Sequence, residues 1–144
     1  MSDRTREISI ALASHLDSMP NRPRVDWENY GDGVDKGSFE PVSGSPYLAE
    51  YLLPASTDRV TNSFNEEPVY SGVYQVSVFT PAGAGRNQAG SIAVNVSDWF
   101  KPGTTVSHGT TGFKILEFAD IANFEGPSNG WFKADVRISY QVVL

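Results

Sequence analysis

Apolar residues recur at four- and three-residue steps near the start of this chain, where Ile8, Leu12, Leu16 and Met19 form one stripe. Arg6, Ser9, Ser14 and Asp17 lie between them, which is the pattern of an amphipathic helix. It predicts a helix over residues 3–19, capped by Ser2 or Asp3 and ended by Pro20. One face of that helix is polar, so it should lie on a sheet with its other side wet. The period then drops to two. Val25-Asp26-Trp27 predicts a short strand and Tyr47–Leu53 a longer one closed by Pro54, with weak pairing around Arg59–Asn62. Residues 72–80 place Tyr74, Val76 and Val78 on one face, and Val73, Gln75 and Ser77 on the other. The helical period returns from Arg86 to Phe100, with Ala89, Ile92, Ala93, Val96, Trp99 and Phe100 along one stripe. Gly90 sits inside it at a cost of about 1 kcal/mol relative to Ala. Phe113–Phe118 and Ile121–Phe124 predict strands, and Glu125–Gly130 a turn. Trp131–Val143 alternates Phe132, Ala134, Val136, Ile138, Tyr140 and Val142 against Lys133, Asp135, Arg137, Ser139 and Gln141. That describes an antiparallel strand buried on one side only.

Helix, strands, helix, strands is the order of an α+β fold, two helices packed on a mostly antiparallel β-sheet. No repeat or second composition interrupts it, so residues 1–144 are read as one domain. A chain of 144 residues buries about 70% of its unfolded surface, enough for a core without staples. Residues 28–46 are rich in Gly, Ser, Asp and Pro and lack periodicity; a loop this long in a small domain is usually functional or disordered. Residues 61–71 read as a second loop, with Asn65-Glu66-Glu67-Pro68 at its centre.

Charge and cysteine content narrow the function. The formal net charge is −6 and the basic residues are scattered, which argues against gripping a nucleic-acid backbone. With no cysteine, disulfides and thiolate metal sites are excluded. Residues 1–7 are polar and charged with no apolar run behind them, and no segment approaches the roughly 20 apolar residues of a membrane span. No membrane partner is expected.

Little here is equipped for chemistry. Gly85–Ser91 follows a strand and opens a helix, the setting of a phosphate-binding loop, but the lysine that neutralises phosphate is missing. A plain strand-to-helix turn is the better reading. His15 borders the apolar stripe of the first helix, and His108 falls in a Ser/Gly/Thr loop. Neither has a partner at metal-ligand spacing, and no Gly-x-Ser-x-Gly elbow accompanies them. Glu66 and Glu67 are adjacent and point apart on an extended chain, so they cannot share one glycosidic bond. Asp32 and Asp35 lack the spacing and distal glutamate of a calcium loop. No catalytic residue, cofactor or metal is assigned.

Aromatic residues are the remaining signal. Trp27, Trp99, Trp131 and Tyr47 sit at element ends, and Tyr30 and Phe39 lie in an otherwise polar loop. Large rings in such places often anchor protein interfaces. The candidate subunit contacts are therefore Tyr30, Asp32 and Phe39 in the first loop, and Asn65, Glu66 and Tyr70 in the second.

Four features taken together resemble the phage tail terminator-like proteins of long, non-contractile tails. They are the early helix with an aromatic strand after it, the strand Ser71–Val78, the helix ending Phe100-Lys101-Pro102-Gly103-Thr104-Thr105-Val106, and the final strand Trp131–Tyr140. The likeness runs from about residue 3 to 144, and order and spacing carry it. The resemblance implies a structural subunit of the virion tail that forms a six-membered ring on the last turn of the tail tube, and assembles in the host cytoplasm. Such a ring stops tube growth and offers a docking face to the head–neck connector. Its implied partners are its own copies, the tail tube protein and the connector, with DNA passing through without specific binding. Alone, the subunit could be a monomer. Two other readings stay open: another head–tail joining or tail-completion subunit, and a small-ligand or nucleotide-binding domain using the Pro81–Gly90 turn.

Overall fold

The structure, a computed structural model, describes residues 2–28, 40–59, 68–83, 86–128 and 130–143. Helix α1 runs Ser2–Asp17 and helix α2 runs Arg86–Trp99. The strands are β1 Arg24–Asp26, β2 Tyr47–Arg59, β3 Pro68–Pro81, β4 Thr105–His108, β5 Thr111–Lys114, β6 Asp120–Ser128 and β7 Trp131–Val143. Five of them form a sheet in the order β1-β2-β3-β7-β6, parallel at β1–β2 and antiparallel elsewhere. β4 and β5 make a separate antiparallel hairpin. The fold is α+β with a mixed, mostly antiparallel sheet. Helix α2 lies against β3, β6 and β7, whereas the neighbours of α1 are β4 and β5.

The alternating positions explain the core. Tyr74, Val76 and Val78 of β3 stand beside Ile138, Val136 and Ala134 of β7, and all six are buried. Ala89, Ala93 and Val96 of α2 join the same cluster, as do Ile8, Leu12 and Leu16 of α1 and Val106, Phe113 and Ile115 of the hairpin region.

Two contacts tie the outlying pieces together. The Glu7 carboxylate of α1 accepts the Thr111 hydroxyl at 2.5 Å, beside the turn of the β4–β5 hairpin. That turn places Gly109 at φ 61°, as a two-residue hairpin loop requires, and a side chain there would run into the same carboxylate. The second contact joins the last turns of the two helices. His15 Nε2–H donates to the Trp99 carbonyl at 2.7 Å, and Trp99 Nε1–H donates back to the His15 carbonyl at 2.6 Å. The rings stack 5.0 Å apart.

Several boundaries differ from the expectations, each for a local reason. Helix α1 ends at Asp17 rather than Met19, because side chains take over its last carbonyls: the Ser18 hydroxyl donates to His15 and Arg22 Nε–H to Asp17. Pro54 does not close β2. The strand runs on to Arg59 through a register shift between Pro54 and Ser56, on an edge that β1 covers only as far as Ala49. A proline without an N–H is tolerated there. Strand β3 correspondingly begins at Pro68, so Tyr70 is a strand residue rather than a loop residue. Thr105–His108 is a strand, not a loop, and the strand expected over 113–118 is confined to Thr111–Lys114. Glu125–Gly130 is not one wide turn: β6 continues to Ser128 through two register shifts, the second of which spans Gly126 and Pro127. The far face of β7 is not wholly wet either, since Asp135 is 2% exposed.

Gly72 marks the tightest spot in the sheet. A Cβ there would lie 2.6 Å from the Leu53 carbonyl oxygen and 2.6 Å from the Tyr140 hydroxyl. Replacing Gly72 by Ala is expected to destabilise the protein by about 1–3 kcal/mol, the range for overpacking, despite the better strand propensity of alanine. Urea unfolding checks this; an unchanged midpoint would show that the sheet relaxes freely around Tyr140.

Candidate functional site

The structure places only one of the expected contact residues. Tyr70 pairs with Thr57 and Val142 and is 7% exposed, so it belongs to this chain's own core. Tyr30, Asp32, Phe39, Asn65 and Glu66 lie outside the described residues, as do Asp35 and Glu67. Trp27 and Trp99 pack partly buried against the core, and His15 is held in the helix clasp. His108 is exposed beside the β4–β5 turn. The Pro81–Gly90 turn is described only in part, without Ala84 and Gly85. Among the described residues no group of three or more His, Asp or Glu side chains is arranged to hold a metal, and no helix is long and apolar enough to cross a membrane.

What the fold does assemble is a surface. On the sheet face away from the core, the register sets Tyr51, Gln75, Arg137 and Asp120 in one row. Ala49, Ser77, Asp135 and Ala122 form the next. A polar lattice runs through the two rows. Arg137 Nε–H donates to Gln75 at 3.3 Å, Gln75 Nε2–H donates to the Ser77 hydroxyl at 3.1 Å, and Ser77 donates to Asp135 at 2.7 Å. Lys133 and Arg137, two residues either side on the same strand, hold cations 3.6 and 3.9 Å from the Asp135 carboxylate. A buried charge persists only when it is paired in this way. At one end the lattice meets an aromatic cluster, with Tyr47 stacked on Phe79 at 4.7 Å and edge-on to Trp131 at 5.0 Å. Tyr51, within the lattice, and Leu53, one row beyond its opposite end, are exposed.

A second apolar feature lies between β5 and β6. Leu116 is 64% exposed and Phe118 is 82% exposed, flanking Glu117. Sequence reasoning missed them by extending the strand to Phe118. The signal was there, because adjacent Ile115 and Leu116 break the alternation that a strand with one buried face keeps.

Among the described residues, Glu50 is a carboxylate buried on the core side of β2. It stands opposite Val76, and its side chain accepts the Tyr74 hydroxyl at 2.7 Å and the Glu28 N–H at 2.7 Å. The Glu28 carboxylate in turn accepts the Leu52 N–H at 2.9 Å, continuing the edge where β1 stops. Burial pushes the Glu50 carboxyl above its ordinary value of 4.5; the two hydrogen bonds oppose that, and the nearby Glu28 and Asp26 charges add to it. Burial and the same carboxylate raise the Tyr74 phenol well above its usual range, so it remains a donor. A carboxyl whose affinity for protons is higher folded than unfolded stabilises the fold at low pH, and the stabilisation is lost as pH rises from 4.5 through the raised value. Glu50→Gln should therefore flatten the decline in melting temperature over that window. Parallel pH profiles of the two proteins would contradict the assignment.

Comparison with known proteins bears on what this surface is for. A family model described as phage tail terminator protein matches residues 7–140. One similar solved structure has a TM-score of 0.67 at 20% identity, with the alignment covering 100% of this chain and 96% of that one, a likeness of fold alone. No curated protein sequence matches the chain. The family match takes in α1 from Glu7 on, the whole of α2 and nearly the whole of the sheet, and on it the chain belongs to the phage tail terminator family, whose members are structural proteins of the virion tail.

Proposed function

We propose that this chain is the subunit that ends a long, non-contractile phage tail. Copies of it assemble as a homohexameric ring on the last turn of the tail tube, block further polymerisation and present a docking face to the head–neck connector. The family match over residues 7–140 is the observation that carries the reading. The protein works through contacts rather than turnover, and it assembles in the host cytoplasm, as a monomer before the tube orders it.

Physical considerations support the same picture. A ring needs unlike patches that meet between neighbours, and two chemically different ends let one side copy the tube while the other receives the connector. Here the far face of the sheet carries polar and aromatic side chains, with Tyr51 and Leu53 exposed, and beyond Ala49 the outer edge of β2 has no strand partner among the described residues. Unpaired strand edges invite pairing with another chain. The net charge of −6 per copy keeps the assembled ring acidic, so DNA crosses it without being held. Tyr30, Asp32, Phe39, Asn65 and Glu66 are proposed as further subunit contacts, on the strength of their aromatic or polar character in loops.

Elongating tail tubes supplied with the purified protein should stop growing at about one ring per tube, as followed by electron microscopy. Tubes that lengthen at an unchanged rate would contradict the proposal. Phe39→Asp should weaken ring formation with the circular dichroism spectrum unaltered, and an unchanged assembled mass would remove Phe39 from the contact.

A further inference from the structure

The exposed segment after β5 is held out at both ends. Ile115 is buried; its N–H donates to the Thr104 carbonyl at 2.8 Å, and its own carbonyl accepts the Gly103 N–H at 2.7 Å. Those two residues belong to the tight turn Lys101-Pro102-Gly103-Thr104, closed by a 3.1 Å hydrogen bond with Gly103 at φ 91°. Four residues after Ile115, Ala119 packs on the core. Leu116, Glu117 and Phe118 therefore form a short prong between two anchors, with its aromatic ring in water and little conformational freedom left to lose on docking.

A receptor of matching character lies elsewhere on the same chain. The loop after α1, the segment 42–46 and the C-terminal half of α2 enclose a groove of about 740 Å³, lined by Met19, Val42, Ile92 and Trp99. Arg22 and Arg24 also line it, against one described carboxylate, Asp98. Both guanidiniums are fixed in place: Arg22 pairs with Asp17 at 2.5 Å, and Arg24 donates to the Glu40 carbonyl at 3.1 Å. On a chain of net charge −6 this groove holds two guanidiniums beside two carboxylates, Asp17 and Asp98, while the prong carries Glu117 with Asp120 two residues beyond Phe118.

We propose that the Leu116–Phe118 prong of one copy docks into this groove of a second copy, Phe118 filling the apolar lining and the two acids facing Arg22 and Arg24. The inference rests on the ring assembly proposed for the family member and names the surfaces that make it. Apolar and charge complementarity between two different patches of one sequence gives a head-to-tail contact, and repetition of such a contact closes into a ring when its rotation allows. An aromatic anchor in a partly preformed groove is the usual centre of such an interface.

The cysteine-free sequence makes the test clean. Full-length Phe118→Cys and Val42→Cys proteins, mixed on capped tail tubes and treated with a short bis-maleimide, should give cross-linked pairs containing one of each. The double variant should give a ladder that ends at the ring. Phe118→Asp should weaken assembly by roughly 30-fold while melting at the wild-type temperature, since Phe118 is outside the core. Links only between like positions, or from position 118 to Leu53→Cys on the open face, would overturn the contact. So would capped tubes that form with no cross-link at all, which leaves the ring itself standing. If the wild-type protein never caps a tube, the ring reading fails and this contact with it.

Discussion

The antiparallel ladder between β3 and β7 is the constraint on which the remaining structure depends. It runs without a register shift from Val69 opposite Val143 to Pro81 opposite Trp131. Because side chains alternate with period two, a slip of one residue on either strand would turn every core position outward. The ladder therefore fixes two opposed faces at once. One carries Tyr74, Val76, Val78, Ala134, Val136 and Ile138 into the core, where α2 lies against both strands. The other carries Gln75, Ser77, Asp135 and Arg137, whose hydrogen bonds and ion pairs give the buried Asp135 carboxylate its partners.

From that ladder the peripheral elements are hung by specific contacts. The His15–Trp99 clasp fixes the ends of the two helices to each other. Glu7 holds the β4–β5 hairpin, and the Pro102–Gly103 turn pins Ile115 beneath it. The outcome is a small protein whose outward features are stiff: an apolar prong, an apolar groove edged by Arg22 and Arg24, and a mixed aromatic and polar sheet face. Stiff, unlike surfaces suit a member of the tail terminator family, since assembly then costs little ordering entropy at the contact.

Much of this was legible in the sequence, because both helices and the long strands bury one side and leave the other wet. The stripes Ile8-Leu12-Leu16 and Ala89-Ala93-Val96, and the alternation along 72–80 and 131–143, fall where expected. The misreadings cluster where a local rule is overridden by partners distant in sequence. Pro54 and Gly126-Pro127 look like strand breakers, but bulges on edges absorb them. Thr105–His108 has too little apolar alternation to declare itself, and it is a strand through its hairpin partner and α1. Tyr70 looked like a loop aromatic because the start of β3 is set by pairing with Thr57–Arg59 rather than by its own pattern. The surface was least legible. Which apolar residues end outside, as Leu116 and Phe118 do, depends on the anchoring of Ile115 by a turn a dozen residues earlier.

The central claim is that this protein acts by shape, as a single layer at one end of a tube. Gold labelling of the protein in finished tails, viewed by electron microscopy, tests that most directly. The account predicts label confined to one level at the head-proximal end of every tail. Label spread along the tube, or absent from mature particles, would contradict it.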